Sequence, residues 1–73
     1  MLELRKSEHS LYKEFYTGSK ILPNGLKMIV NCILDNNCVR YVVFKGNRIT
    51  TRREYTNDKK EQCFKSATKA LNR

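Results

Sequence analysis

The chain has 73 residues, 40% apolar and 30% charged, with 15 Lys and Arg against 7 Asp and Glu for a formal charge of +8. A chain this short buries only about 60% of the surface it exposes when unfolded, so one single-layer core is all it can build: one domain over 1–73, with no deep catalytic cleft. Three cysteines without Cys-x-x-Cys spacing, one histidine (His9) and no apolar run of bilayer length exclude a disulfide framework, a zinc or other cofactor site and a membrane span.

Residues 1–25 are expected to form a short helix with an extended tail. Over 7–16, Leu11, Tyr12, Phe15 and Tyr16 recur at helical period, and Gly18 stands where a helix-ending glycine belongs. The aromatic, β-prone run Tyr12–Thr17 keeps an edge strand open as the alternative. Pro23-Asn24-Gly25 is then a clear break.

Residues 26–55 read as a three-stranded antiparallel meander. Leu26–Leu34 and Cys38–Lys45 are rich in Val, Ile, Met, Phe and Tyr, and Gly46-Asn47 is a two-residue hairpin signal before the third strand. That turn sets Lys45 opposite Arg48, Phe44 opposite Ile49 and Val42 opposite Thr51. Cys38, Val42, Phe44, Ile49, Thr51 and Tyr55 then share a face. A three-residue first loop, Asp35–Asn37, adds Met28, Val30, Cys32 and Leu34 to that core, whereas a two-residue loop sends those four to the other side. The three-residue loop is the expectation. Residues 58–72 then form a helix that covers one face of the sheet. Asp58-Lys59-Lys60-Glu61 resembles an N-cap with its capping-box acid, and Cys63, Phe64, Ala67, Ala70 and Leu71 make a narrow apolar stripe. The fold class expected is α+β: short N-terminal helix, three-stranded meander, C-terminal helix.

Charge placement is the functional clue. Residues 1–39 carry a balance of +1 and residues 40–73 carry +7, a concentrated field of the kind that holds polyanions. On the sheet face away from the helix, Lys45, Arg48 and Arg52 cluster near Tyr41, expected opposite Arg52, where an aromatic flanked by cations can stack a base. Lys59 and Lys60 stand in the first helical turn, where a phosphate would meet free backbone N–H groups, and Lys65 and Lys69 continue the row. Ile29, Ile33, Val39 and Val43 form an apolar patch on the same outer face, a candidate protein interface to be covered by Leu11, Phe15 and Ile21, by a second copy in a homodimer, or by another protein. No catalytic constellation emerges: no Ser is set beside a His base, and Cys38 and Cys63 are expected to point into the core. The chain is expected to be a non-enzymatic nucleic-acid-binding protein of the reducing cytoplasm, without a membrane partner. The alternative is a phage or mobile-element protein that binds and inhibits or regulates a host defence or toxin enzyme, with RNA in the complex and the host cytoplasm as its place.

The stretch VRYVVFKGNR (Val39–Arg48), then Ile49–Asn57, then Asp58-Lys59-Lys60-Glu61 and the helix to Leu71, resembles the double-stranded RNA-binding domain over the C-terminal two-thirds of the chain. The resemblance implies RNA rather than DNA, with Lys59 and Lys60 as the phosphate-gripping helix start and helix one and the first hairpin loop touching minor grooves. The strand–strand–strand–helix order also resembles the arm-type DNA-binding domain of phage integrases, which reads DNA with its sheet.

Overall fold

A computed structural model of the chain describes residues 1–8, 11 and 14–73. Strands β1 (Arg5–Lys6), β2 (Phe15–Ile21), β3 (Lys27–Asp35), β4 (Cys38–Lys45) and β5 (Arg48–Tyr55) form one antiparallel sheet in chain order. A 3₁₀ turn over Asn57–Lys59 leads into helix α1 (Lys60–Leu71), which returns across the sheet and packs mainly on β3 and β4.

Turn chemistry explains the meander. Leu22 and Leu26 close the β2–β3 turn through Leu22 N–H to Leu26 O (2.8 Å), with the Asn24 carboxamide accepting from Leu26 N–H at 3.0 Å. Gly25 supplies the φ of +87° that this turn requires. Gly46 at φ +63°, followed by an Asn47 of negative φ, has the pattern of a type II′ hairpin, whose twist matches the strands it joins.

The fold departs from the sequence reading in three places. The sheet has five strands, not three, and no helix precedes α1 among the described residues. His9, Ser10, Tyr12 and Lys13 of the expected helix over 7–16 lie outside the described residues. Phe15 and Tyr16 lie in β2, paired with Ile33 and Cys32. A sheet neighbour on each side satisfies the backbone of a β-prone run that is too short to be a stable helix alone.

The first β3–β4 loop has two residues, Asn36-Asn37, because Asp35 pairs with Cys38 and Leu34 with Val39. One residue fewer in the loop reverses which β4 side chains share a face with β3. Val39, Tyr41 and Val43 therefore join Met28, Val30, Cys32 and Leu34 under the helix, while Val42 and Phe44 turn away. Val39 and Val43 are 3% and 4% exposed and belong to the core, not to an outer patch.

A bulge between Val43 and Phe44 is the third departure. Phe44 keeps Ile49 as partner, but Val43 pairs with Thr51 and Val42 with Arg52, leaving Thr50 as the extra residue on β5. Tyr41 consequently faces Arg53 rather than Arg52.

The core is a single layer between α1 and the sheet: Cys63, Ala67, Ala70 and Leu71 of the helix on the inward residues of β3 and β4, with Leu4 beside them. Tyr16 meets Phe64 edge-on at 5.1 Å, and Tyr55 stacks on Tyr41 at 6.3 Å, sealing opposite flanks of the helix. Gly18 of β2 lies where a Cβ would come within 2.6 Å of Leu71 Cδ2 and 3.1 Å of Leu4 Cδ2. Leu71 is fully buried and has no room to withdraw. Gly18→Ala is expected to destabilise the fold by about 1–3 kcal/mol through overpacking, read as a lower urea midpoint; an unchanged midpoint would mean that the helix is free to lift from β2.

Candidate nucleic-acid interface

The start of α1 is built around Asn36 at the tip of the β3–β4 hairpin. Lys60 Nζ donates to Asn36 Oδ1 at 2.9 Å, and Asn57 Nδ2 donates to the Asn36 carbonyl. Lys60 Nζ also lies 3.9 Å from a Glu14 carboxylate oxygen, and Glu14 is held by the Leu34 N–H to Glu14 O bond of 2.9 Å. Lys60 thus ties helix, hairpin and the entry to β2 together, and its ammonium is committed to that junction. The expected Asp58–Glu61 capping box does not form, because the cap of α1 is Lys59, with no side-chain capping bond. Asp58 instead accepts from the Thr56 hydroxyl, and that bond lowers the carboxyl pKa. The carboxylate beside Lys59 is therefore held charged, which weakens this helix start as an anion site.

The remaining predicted cations separate by face. Lys45 and Arg48 form the closing pair of the β4–β5 hairpin, and Lys45 lines a groove of about 240 Å³ with Thr50, Thr51, Ala70 and Arg73. Arg53, opposite the inward Tyr41, lies on the helix side of β5, while Arg52, opposite Val42, lies on the far side. Lys59, Gln62, Lys65, Ser66 and Lys69 line one surface of α1 together with the acids Asp58 and Glu61. At 100° per residue, Gln62, Ser66 and Lys69 fall on the flank opposite Phe64, the flank turned to β5, and Arg73, beyond the helix, lines the groove with Lys45 and Ala70. Lys65 points outward and pairs with Glu61 at 3.2 Å, an exposed i,i+4 contact of small energetic weight.

A basic flank results, running from Lys45 and Arg48 at the hairpin, past Arg53 and Arg73, to Lys69 and Lys59. Among the described residues, ion pairs engage only Lys60 and Lys65, so these six cations have no carboxylate within salt-bridge range. Arg53 and Arg73 were not singled out by the sequence reading. Arg53 falls between Thr51 and Tyr55 on the side of β5 that the sequence reading already turned to the helix, because the shorter loop and the bulge offset each other there, and Arg73 becomes legible only once the helix is placed over the sheet. Tyr41, expected as a base-stacking platform, is 4% exposed and lies in the core, where it cannot meet a base.

Among the described residues no helix lies on the outer sheet face, and Ile33 on it is only 6% exposed. The three central rows of this face are Phe15–Ile33–Arg40–Glu54, Arg5–Thr17–Asn31–Val42–Arg52 and Ser19–Ile29–Phe44–Ile49. Of the expected apolar patch, Ile29 and Ile33 lie here, joined by Val42, Phe44 and Ile49 in place of Val39 and Val43. Thr17 Oγ1 donates to Asn31 Oδ1 at 2.8 Å, so the central polar groups satisfy each other. Arg40 Nε is buried beside them with no hydrogen-bond partner among the described residues.

The thiols offer no nucleophile beside a base. Cys32 and Cys63 meet across the core with Sγ atoms 3.9 Å apart, both free and fully buried, and Cys38 is free at the hairpin edge. Burial raises the Cys32 pKa strongly, reinforced by the neighbouring Cys63, and burial raises that of Cys63. Since the unfolded chain releases these protons at about the ordinary value of 9.0, the stability they contribute is complete below that pH and is lost as pH rises above it. The urea midpoint should fall above about pH 9 and fall less steeply in Cys32→Ala, while a thiol reagent at neutral pH should label Cys38 first. Rapid labelling of all three thiols in the native protein would contradict this core.

Comparison with protein-family models, with curated proteins and with solved structures gives no match.

Proposed function

We propose that the chain binds nucleic acid through the basic flank formed by β5, the β4–β5 hairpin and the adjoining side of α1. The observation that carries this reading is the gathering of Lys45, Arg48, Arg53, Lys59, Lys69 and Arg73 on one flank, none of them in an ion pair among the described residues and with Asp58 and Glu61 as the acids at its Lys59 end. Such a field attracts a phosphate chain by releasing its condensed counterions, a mechanism that needs neither a pocket nor base-specific contacts. Arg52 reaches the ligand only from the opposite side of β5, so the flank, and not the sheet face, provides the main contact. The preference for RNA over DNA rests on the resemblance of residues 39–71 to the double-stranded RNA-binding domain. The strand–strand–helix order of that stretch is retained in β4, β5 and α1. With Phe15 and Tyr16 in a strand, the minor-groove contact that the resemblance gives to helix one is not carried over, and binding depends on charge with limited sequence selectivity.

Contact with four to six phosphates predicts a log–log salt slope of roughly −3 to −5. Arg48→Ala, Arg53→Ala and Lys69→Ala combined should leave the circular dichroism unchanged and reduce that slope by about 2–3. Lys60→Ala should lower the urea midpoint while leaving the slope nearly intact, since its ammonium is engaged with Asn36 and Glu14. A slope near zero with RNA and DNA alike, or a triple variant that binds as wild type does, overturns the reading. So does purification of the chain with one stoichiometric protein that survives nuclease, which would make it a regulator of that protein.

A further inference from the structure

We infer that Cys32 and Cys63 are an oxidisable pair, whose two-electron oxidation joins them in a disulfide that staples α1 to the central strand of the sheet. A cysteine buried alone is an ordinary small core residue. These two meet each other: their Sγ atoms lie 3.9 Å apart, both free and both at 0% exposure. A disulfide holds its sulfurs about 2.05 Å apart, so about 1.9 Å remains to be closed.

The elements that carry the thiols make that closure local. Cys32 lies in β3, the middle strand of five, with Tyr16 of β2 and Tyr41 of β4 as its ladder partners on either side. Its backbone is held on both sides. Cys63 lies at the start of the buried side of α1, and Ala67, one turn further on, is also at 0% exposure. Small side chains at the contact let the helix settle toward the sheet, which is the movement the bond requires.

Hydrogen peroxide is the oxidant the chemistry needs. One sulfur attacks a peroxide oxygen and breaks the O–O bond, giving a sulfenic acid and one water. The second thiol then displaces the sulfenic hydroxyl, which leaves with the thiol proton as a second water. Two electrons pass from the sulfurs to the peroxide, and no third group takes part. The thiolate reacts fastest, and burial disfavours it at both sites. Oxidation therefore runs through transient opening of α1, and closure of the core then shields the bond from reductants. The pair is a slow staple, not a rapid sensor. The bond joins positions 31 apart in the chain, with β4, β5 and the start of α1 between them. Restricting that loop in the unfolded chain stabilises the folded state.

Peroxide treatment at neutral pH, followed by alkylation in denaturant and peptide mapping by mass, tests this. Wild type should yield a Cys32–Cys63 link, although the half-buried Cys38 at the hairpin edge meets the oxidant first. Cys38→Ser should yield the same link, with a mass about 2 Da below that of its reduced form. Oxidised Cys38→Ser should unfold at a higher urea concentration than reduced Cys38→Ser. A thiol reductant should cleave the link at least about tenfold faster in urea than in buffer. A wild-type link through Cys38, conversion of Cys32 or Cys63 to sulfinic acid without a link, an oxidised form that unfolds at lower urea, or cleavage as fast in buffer as in urea would each overturn the inference.

Discussion

A single helix can cover only one face of a sheet, and every other feature of this molecule follows from where α1 lies. Its apolar side is narrow and mostly small, with Cys63, Ala67 and Ala70 flanking Leu71, its one large fully buried side chain. Small residues let the helix approach closely, and Gly18 extends that approach to β2. Close approach is what allows a core only one side chain thick to exclude water in a chain of 73 residues. The thiols of Cys32 and Cys63 meet at its centre, where their neutral form is favoured by the same dryness that stabilises the aliphatic contacts around them.

Having chosen its face, the helix also sorts the charges. Side chains toward solvent on α1 and on the helix side of β5 can stand hydrated close to the core. The strand that overhangs the helix therefore carries Arg53 while Tyr55 closes the gap by stacking on Tyr41. Two of the lysines near the helix start have different fates for local reasons. Lys60 turns toward Asn36 and Glu14 and becomes part of the architecture, whereas Lys59 stays exposed beside Asp58. A pair of adjacent like residues in sequence is thus one structural tie and one surface charge.

The same geometry leaves the second sheet face without the helix, with Ile49 exposed, Ile29, Val42 and Phe44 half-buried and Ile33 buried on it. On an isolated meander this would be a liability, and here the charged rim at both edges confines the apolar area to the middle. The basic flank and the outer face lie on opposite sides of β5: Arg53 belongs to one and Arg52 to the other, though they are neighbours in the chain.

Local signals determined a good deal without any tertiary information. The glycine turns at Gly25 and Gly46, the β-branched runs that became β3 and β4, the apolar stripe of α1 and the concentration of charge after residue 40 are properties of short windows or of composition, and all lie where local propensity puts them. What short windows do not contain is a comparison between distant residues. Whether Phe15 and Tyr16 join a helix or a strand depends on Ile33 and Cys32 being there to pair with. Whether Tyr41 faces solvent or core depends on one residue in the Asn36-Asn37 loop, and whether Arg52 or Arg53 joins the flank depends on one extra residue at Thr50. Because successive side chains on a strand point to opposite faces, a shift of one residue moves every side chain across the sheet. Only the docking of α1 says which of the two faces is buried.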